Sequence, residues 1–496
     1  MKNKRFPLVR LLLCLAAVAL ALSGFAACGK KEQAKDPETT KEEQTTAPLD
    51  RYDEKGYKMD NVPTDLNYKN QPISILCWDA ENTEFDAEYG DNVIDNAVYT
   101  RNVNVETRLN VSLEFQKTNA SVNYVSEFKQ KMLTAYSANE YWDIIGVYTR
   151  SAATLASSDL LLNLGTLPQS YLDFDQPWWS HDIIEKTAVG NNFYFVTGDI
   201  STNLVQMAYC IYFNPELLQA NHMESPYDLV KDNNWTIENL LTMSKDFYKD
   251  NNNNETVDLK DSFGLSGAYY AWPALLHGCG VPIVEKDESG AFVIHSDFKG
   301  EKTMGLMKTF AAAVEGKDAY INASIDGFTS GRVAFFITES GTGLKKMGDA
   351  EFDYGCVPMP KYNAEQTDYC SPVRQPISLY GFFVNLPAER ISMDTAVLEC
   401  MASEAYRTTT PKVFDECMKY LRATSSEMSE MLTLIRDTAW FDFARIYSKE
   451  TSYVCDKPGY VLRDGDSWES YVNGDLKIAA ENLRVISNKL IANANR

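Results

Sequence analysis

From Gln71 onward, short apolar runs alternate with longer segments whose apolar residues recur every three to four positions. Ile73 to Trp78 and Asp143 to Val147 read as buried strands, and Val111 to Phe115 alternates as a third. Between them, Val93 to Leu109 sets Val93, Ala97, Val103 and Leu109 near helical spacing, and Val125 to Tyr136 is helical too. This strand–helix–strand–helix–strand order implies a parallel sheet with helices on both faces. Ligands of such sheets sit beyond the carboxyl ends of the strands, where Trp78 and Tyr148 fall.

Farther along, the aromatic stretch Phe193 to Val196 runs into Thr197-Gly198-Asp199, and Met207 to Tyr212 follows as a strand. A helix is predicted over Thr236 to Lys249, with Thr236 as N-cap and Glu238 in its first turn. Met304 to Val314 is a further helix, Val333 to Thr338 and Tyr354 to Val357 further strands. From Met393 the pattern is almost wholly helical, and no segment repeats. At 496 residues the chain is long enough for two lobes with separate cores.

The first thirty residues obey a different pattern. A basic stretch, Met1 to Arg10, leads into the apolar run Leu11 to Leu22, whose 12 residues are too few for a membrane span and suit a signal-peptide core. Ser23-Gly24-Phe25-Ala26-Ala27-Cys28 then resembles a bacterial lipobox, with Phe25 where that pattern prefers Leu. The resemblance implies cleavage before Cys28 and lipidation of its thiol. The polar stretch that follows has almost nothing to bury and reads as a disordered tether.

Net charge is −22, and losing Lys2, Lys4, Arg5 and Arg10 with the leader takes it to −26. So acidic a chain lacks the clustered cations of a nucleic-acid binder and disfavours adhesion to anionic lipid, so membrane attachment should be covalent. No two cysteines form a Cys-x-x-Cys pair, which argues against zinc and dithiol redox sites. They read as small buried hydrophobes, with Cys356–Cys370 or Cys400–Cys417 open as disulfides.

Five segments then stand in a telling order: Tyr141 to Tyr148 (YWDIIGVY), Ala208 to Leu218 (AYCIYFNPELL), Asn234 to Leu240 (NWTIENL), Phe328 to Phe335 (FTSGRVAF) and Gly355 to Lys361 (GCVPMPK). Together, between Gln71 and Arg390, they resemble the extracellular solute-binding lipoproteins of ABC importers, family 1, the sugar-binding type. The resemblance implies a type II, two-lobed periplasmic-binding-protein-like α/β fold that closes on its ligand. Crossover hinge strands are expected near Phe195 to Asn203 and Ser378 to Val384. The implied layout is signal peptide 1–27, lipidated Cys and tether 28–66, lobe 1 over 67–198 with 378–415, and lobe 2 over 199–377 with 416–496.

Catalytic motifs are missing: the four histidines form no His-Glu-x-x-His, and no nucleophile elbow, phosphate loop or dinucleotide fingerprint occurs. Sugar binding asks only for rings that stack on pyranose faces and for polar groups that take hydroxyls. By position the expected ligand residues are Trp78, Tyr148, Asp199, Asn203, Tyr270, Trp272, Glu339 and Ser340. Asp250, Asn252, Asn254, Thr256, Asp258 and Asp261 are spaced like an EF-hand-type calcium loop, with Glu255 where the turn glycine belongs and Asp261 in place of the longer Glu. No other cofactor is expected. The expected protein is a monomeric, lipid-anchored carbohydrate-binding component on the outer face of the cell membrane, working with ABC permease subunits. A secreted carbohydrate-active enzyme and a sensory or scaffold lipoprotein are the rival readings.

Overall fold

The computed structural model describes residues 51–80 and 83–494. The leader, the lipidation site Cys28 and the chain up to Asp50 lie outside the described residues. In lobe 1, β1 (Gln71–Trp78), α1 (Val93–Leu109), β2 (Val111–Thr118), α2 (Val125–Ser137) and β3 (Ile144–Tyr148) follow one another as the periodicity predicts. Asn92 starts α1 by accepting from the Ile94 and Asp95 N–H groups, and Asn110 ends it in the left-handed region at φ 50°. The strands β2, β1 and β3 lie parallel, and a returning strand, Ser378–Gly381, pairs antiparallel with β3 at the edge.

Lobe 2 is built on five strands: β4 (Tyr209–Phe213), β5 (Phe263–Gly267), β6 (Ala319–Tyr320), β7 (Val333–Glu339) and β8 (Gly355–Pro358). Their order across the sheet is β6-β5-β7-β4-β8, with β7 parallel to β5 and antiparallel to β4. Every residue of β4 and β5 is buried, which accounts for the unbroken apolar reading of both runs. The returning strand, numbered β9, makes Ser378–Gly381 the last strand of lobe 1.

The lobes communicate through paired crossovers. Val196 and Tyr380 exchange backbone hydrogen bonds of 2.9 and 2.8 Å, and the Thr197 hydroxyl donates to the Ser378 carbonyl. Gly198 sits here because a Cβ would lie 1.9 Å from the Trp178 carbonyl oxygen.

Three sequence expectations are corrected. Residues 51–66 are not tether: Arg51–Tyr52 pairs with Lys58–Met59, and buried Asp60 accepts a two-pronged bond from Arg108 at 2.7 Å. That ion pair gave no sign in a segment poor in apolar residues. The helix predicted over Thr236 to Lys249 ends at Met243, because Ser244 turns its hydroxyl onto the Leu240 carbonyl and Asp246 takes φ 65°. All eight cysteines beyond Cys28 are free, so neither candidate disulfide forms.

Candidate functional site

A cavity of about 600 Å³ opens where the two sheets end, and both lobes line it. Lobe 1 supplies Trp78 and Tyr148 from the ends of β1 and β3, with Asn123 before α2 and Arg150 two residues past β3. Lobe 2 supplies Tyr269 and Tyr270 beyond β5. The short helix Thr202–Gln206 brings Asn203, the segment before β9 brings Arg374 and Gln375, and the C-terminal region brings Asp456 and Tyr460. A larger groove of about 900 Å³ flanks the start of α1, but no strand end and no expected ligand residue reaches it.

The rings on the two sides differ in kind. Trp78 is 3% exposed, and its Nε1 donates to the Ser378 hydroxyl at 2.8 Å while its ring tilts against Tyr148 at 5.4 Å. Burial pushes the Tyr148 phenol up to about 12, so it stays protonated. Tyr269 and Tyr460 are half-buried and pack at 5.0 Å, with the Arg463 guanidinium 4.8 Å from each ring. Tyr270 carries Arg374 over its face at 4.6 Å.

Four expected ligand residues thus meet in one cavity: Trp78, Tyr148, Asn203 and Tyr270. The others lie elsewhere. Trp272 is 1% exposed and sets its ring against Phe310, so it turns into the lobe 2 core instead of the cavity. Asp199 faces Arg436 at 3.8 Å, and burial lifts its carboxyl to about 6 against the opposing pull of Thr410 and Arg436. Ser340 is buried and donates to the Gln206 carbonyl at 3.3 Å. Glu339 acts from behind, accepting from Arg374 at 2.7 Å. The sequence reading missed Arg150, Arg374, Asp456 and Tyr460. Arg150 and Arg374 stood within four residues of Tyr148 and Ser378, a usable signal; nothing local marked the other two.

In the Asp250–Asp261 loop, Asp250 accepts from the Asn254 and Glu255 N–H groups, and Asn253 and Glu255 take φ of 53° and 61°. Asp258 accepts from the side-chain amides of Asn252 and Asn254 at 3.0 and 2.9 Å. Asp261 is fully buried, and its Oδ1 has no partner. Among the described residues no three His, Cys, Asp or Glu side chains converge on one point. The Asn252 side-chain oxygen accepts from the Asn254 N–H, so both Asn amides present their NH2 groups to Asp258. Thr256 lies on the same turn, with its N–H on the Asn254 amide oxygen.

No protein-family model matches the chain, and no curated protein matches it. Among solved structures it is similar to an ABC substrate-binding protein of Listeria monocytogenes in complex with cycloalternan, at 13% identity, TM-score 0.55, over 84% of this chain and 98% of that one. A cyclo/maltodextrin-binding protein complexed with maltotetraose is similar at 12% identity, TM-score 0.54, over 84% and 99%. UgpB of Mycobacterium tuberculosis, in complex with glycerophosphocholine, is similar at 16% identity, TM-score 0.51, over 85% and 100%. The likeness runs through both lobes and shows the two-lobed periplasmic-binding-protein-like fold.

Proposed function

We propose that the chain is the solute-binding component of an ABC importer, capturing a small carbohydrate between its lobes and delivering it to a permease. The observation that carries this reading is the cavity between the strand ends, with half-buried tyrosines on one side and amides and guanidiniums around them. A pyranose offers apolar C–H faces to such rings and hydroxyls to such forks. The proteins of known structure with this fold that hold cycloalternan and maltotetraose support the same ligand class. Paired crossovers suit closure of one lobe on the other.

In this reading Cys28 carries the lipid that keeps the monomer at the outer face of the membrane. The permease in this reading is a separate partner; among the described residues no helix is long and apolar enough to cross a membrane. Asp250, Asn252, Asn254, Thr256, Asp258 and Asp261 would hold a structural Ca²⁺ away from the cavity. The function is tested by thermal shift of the mature protein against a panel of sugars and sugar acids. A true ligand at 100 times its Kd should add about 2.7 kcal/mol of stability. Shortened oligosaccharide products in the same incubations would reject the transport reading in favour of an enzyme.

A further inference from the structure

Two arginines line the cavity, and each is paired along one edge with a carboxylate. Arg374 gives one Nη to Glu339, which fixes the guanidinium over Tyr270 with its remaining nitrogens uncommitted to that carboxylate. Arg150 gives Nη2 to Asp456 at 3.0 Å and lies over Tyr453, and its Nε is buried without a partner. One layer beneath, Arg445 is 3% exposed behind the Tyr209 ring, and its Nε and Nη2 lack partners as well. Gln375, in the cavity lining, donates to the Arg445 carbonyl, which ties that layer to the floor.

Glu339 and Asp456 already face the guanidiniums, Asp442 accepts from the Ile283 and Ala444 N–H groups, and Asp79 stands exposed at the rim, where Lys346 also lies. The nitrogens without partners, Arg150 Nε and Arg445 Nε and Nη2, are enclosed, and Arg445 does not line the cavity, so the guanidiniums that a ligand meets are those of Arg374 and Arg150. A guanidinium bonds a charged acceptor roughly twice as strongly as a neutral one, so a ligand that brings such an acceptor gains more than one that brings hydroxyls alone. The overall charge of −22 opposes an incoming anion only weakly, because salt screens exposed charges beyond roughly 8 Å.

We propose that the carbohydrate this cavity takes carries an acidic group, a carboxylate or a sulfate or phosphate ester, read by Arg374 and Arg150. This rests on the carbohydrate reading above and narrows its substrate class. Arginine suits the task because its planar fork meets a planar or tetrahedral oxyanion with two parallel N–H donors. Glu339 and Asp456 are positioning residues: each holds its guanidinium by one edge and leaves another edge for the ligand. Tyr270 and Tyr453 keep the guanidinium planes from rotating away.

The test is competition from a mixed pool read by native mass spectrometry on the mature protein. The pool holds neutral di- to tetrasaccharides, the matching oligouronates, and their sulfated and phosphorylated counterparts, all at equal concentration. The expected result is retention of acidic members at least tenfold over their neutral parents, with the retained mass telling carboxylate from ester. Raising NaCl from 0.05 to 0.5 M should weaken that retention severalfold, a readout that needs no variant. R374Q and R150Q should each reduce the acid preference to under threefold, measured on protein that still melts cooperatively, since each leaves a carboxylate without its partner. Equal retention of neutral and acidic members would overturn the acidic ligand and leave carbohydrate capture standing. Retention of none of the pool, beside capture from a pool of amino acids and short peptides, would overturn both.

Discussion

The two walls of the cavity are made of the same residue types and are packed in opposite ways. On the lobe 1 wall, Trp78 and Tyr148 are continuous with the core: each ends a buried strand, and Trp78 is tied to the returning strand through Ser378. On the facing wall, Tyr269, Tyr270 and Tyr460 stand half-buried on loops and on the helix Lys457–Asp464, with cations over their faces. An aromatic ring at a strand exit is therefore not in itself a platform. What separates the two cases is how much of the ring stays exposed. Trp78 is buried, whereas the three tyrosines are half-buried and keep part of their surface open.

The largest expected effect tests the first wall. Trp78→Ala removes a buried ring together with the bond to Ser378, and should cost about 3–5 kcal/mol of folding stability. Chemical denaturation checks this. A loss below about 1 kcal/mol, with a large drop in affinity, would make Trp78 a platform after all and erase the contrast between the walls.

Behind that wall lobe 1 also stores titratable groups. Glu399 is buried, and burial lifts its carboxyl from 4.5 to about 8 although Trp178 and Trp179 donate to its oxygens. Asp394 is likewise lifted from 3.8 to about 8 by burial and by Asp143, against Arg390. A carboxyl raised in the folded state favours folding when protonated, so this stability is present below about pH 4 and is lost as pH rises toward 8. Glu399→Gln should flatten part of that slope, by an amount on the order of a few kcal/mol. Melting curves between pH 4.5 and 8.5 for both proteins measure it; parallel curves would mean that Glu399 is ionised throughout.

A smaller effect separates lobe 2 from lobe 1. If the Asp250–Asp261 loop binds Ca²⁺, excess calcium at 100 times its Kd should add about 2.7 kcal/mol, and Asp250→Ala should abolish the gain. Superimposed melts with calcium and with chelator would defeat the metal reading, and ligand affinity should be the same in both.

Much of lobe 1 was legible because its strands and helices are each specified by a local period, as in Val93–Leu109. Trp78 and Tyr148 were reachable from that period, since they follow from where parallel strands end. Asp199 and Trp272 were misplaced for a related reason: position along the chain says where a residue is, not which way its side chain turns. Asp456 and Tyr460 were out of reach, because the helical tail carries no motif and returns to the cavity only through tertiary packing. Residues 51–66 failed in the opposite direction. Their polar composition hid Asp60, whose burial depends on Arg108, a partner 48 positions away.

The smallest effect bears most directly on the comparison. Tyr460 is half-buried, with its ring against Tyr269 and Arg463 above both. Removing the ring takes away a face that a sugar can cover but few core contacts, so Tyr460→Ala should leave denaturant stability almost unchanged. Affinity should fall by about 0.5–1.5 kcal/mol, the contribution of aromatic contact beyond area burial, which is roughly two- to tenfold in Kd. Tyr460→Phe should keep most of that affinity, because the stacking face survives and only the hydroxyl is lost. Calorimetric titration of the three proteins with one ligand separates the possibilities. A loss in Tyr460→Phe as large as in Tyr460→Ala would assign the work to the hydroxyl and remove the ring from the platform. Stability falling by several kcal/mol in Tyr460→Ala would show instead that the second wall is core like the first.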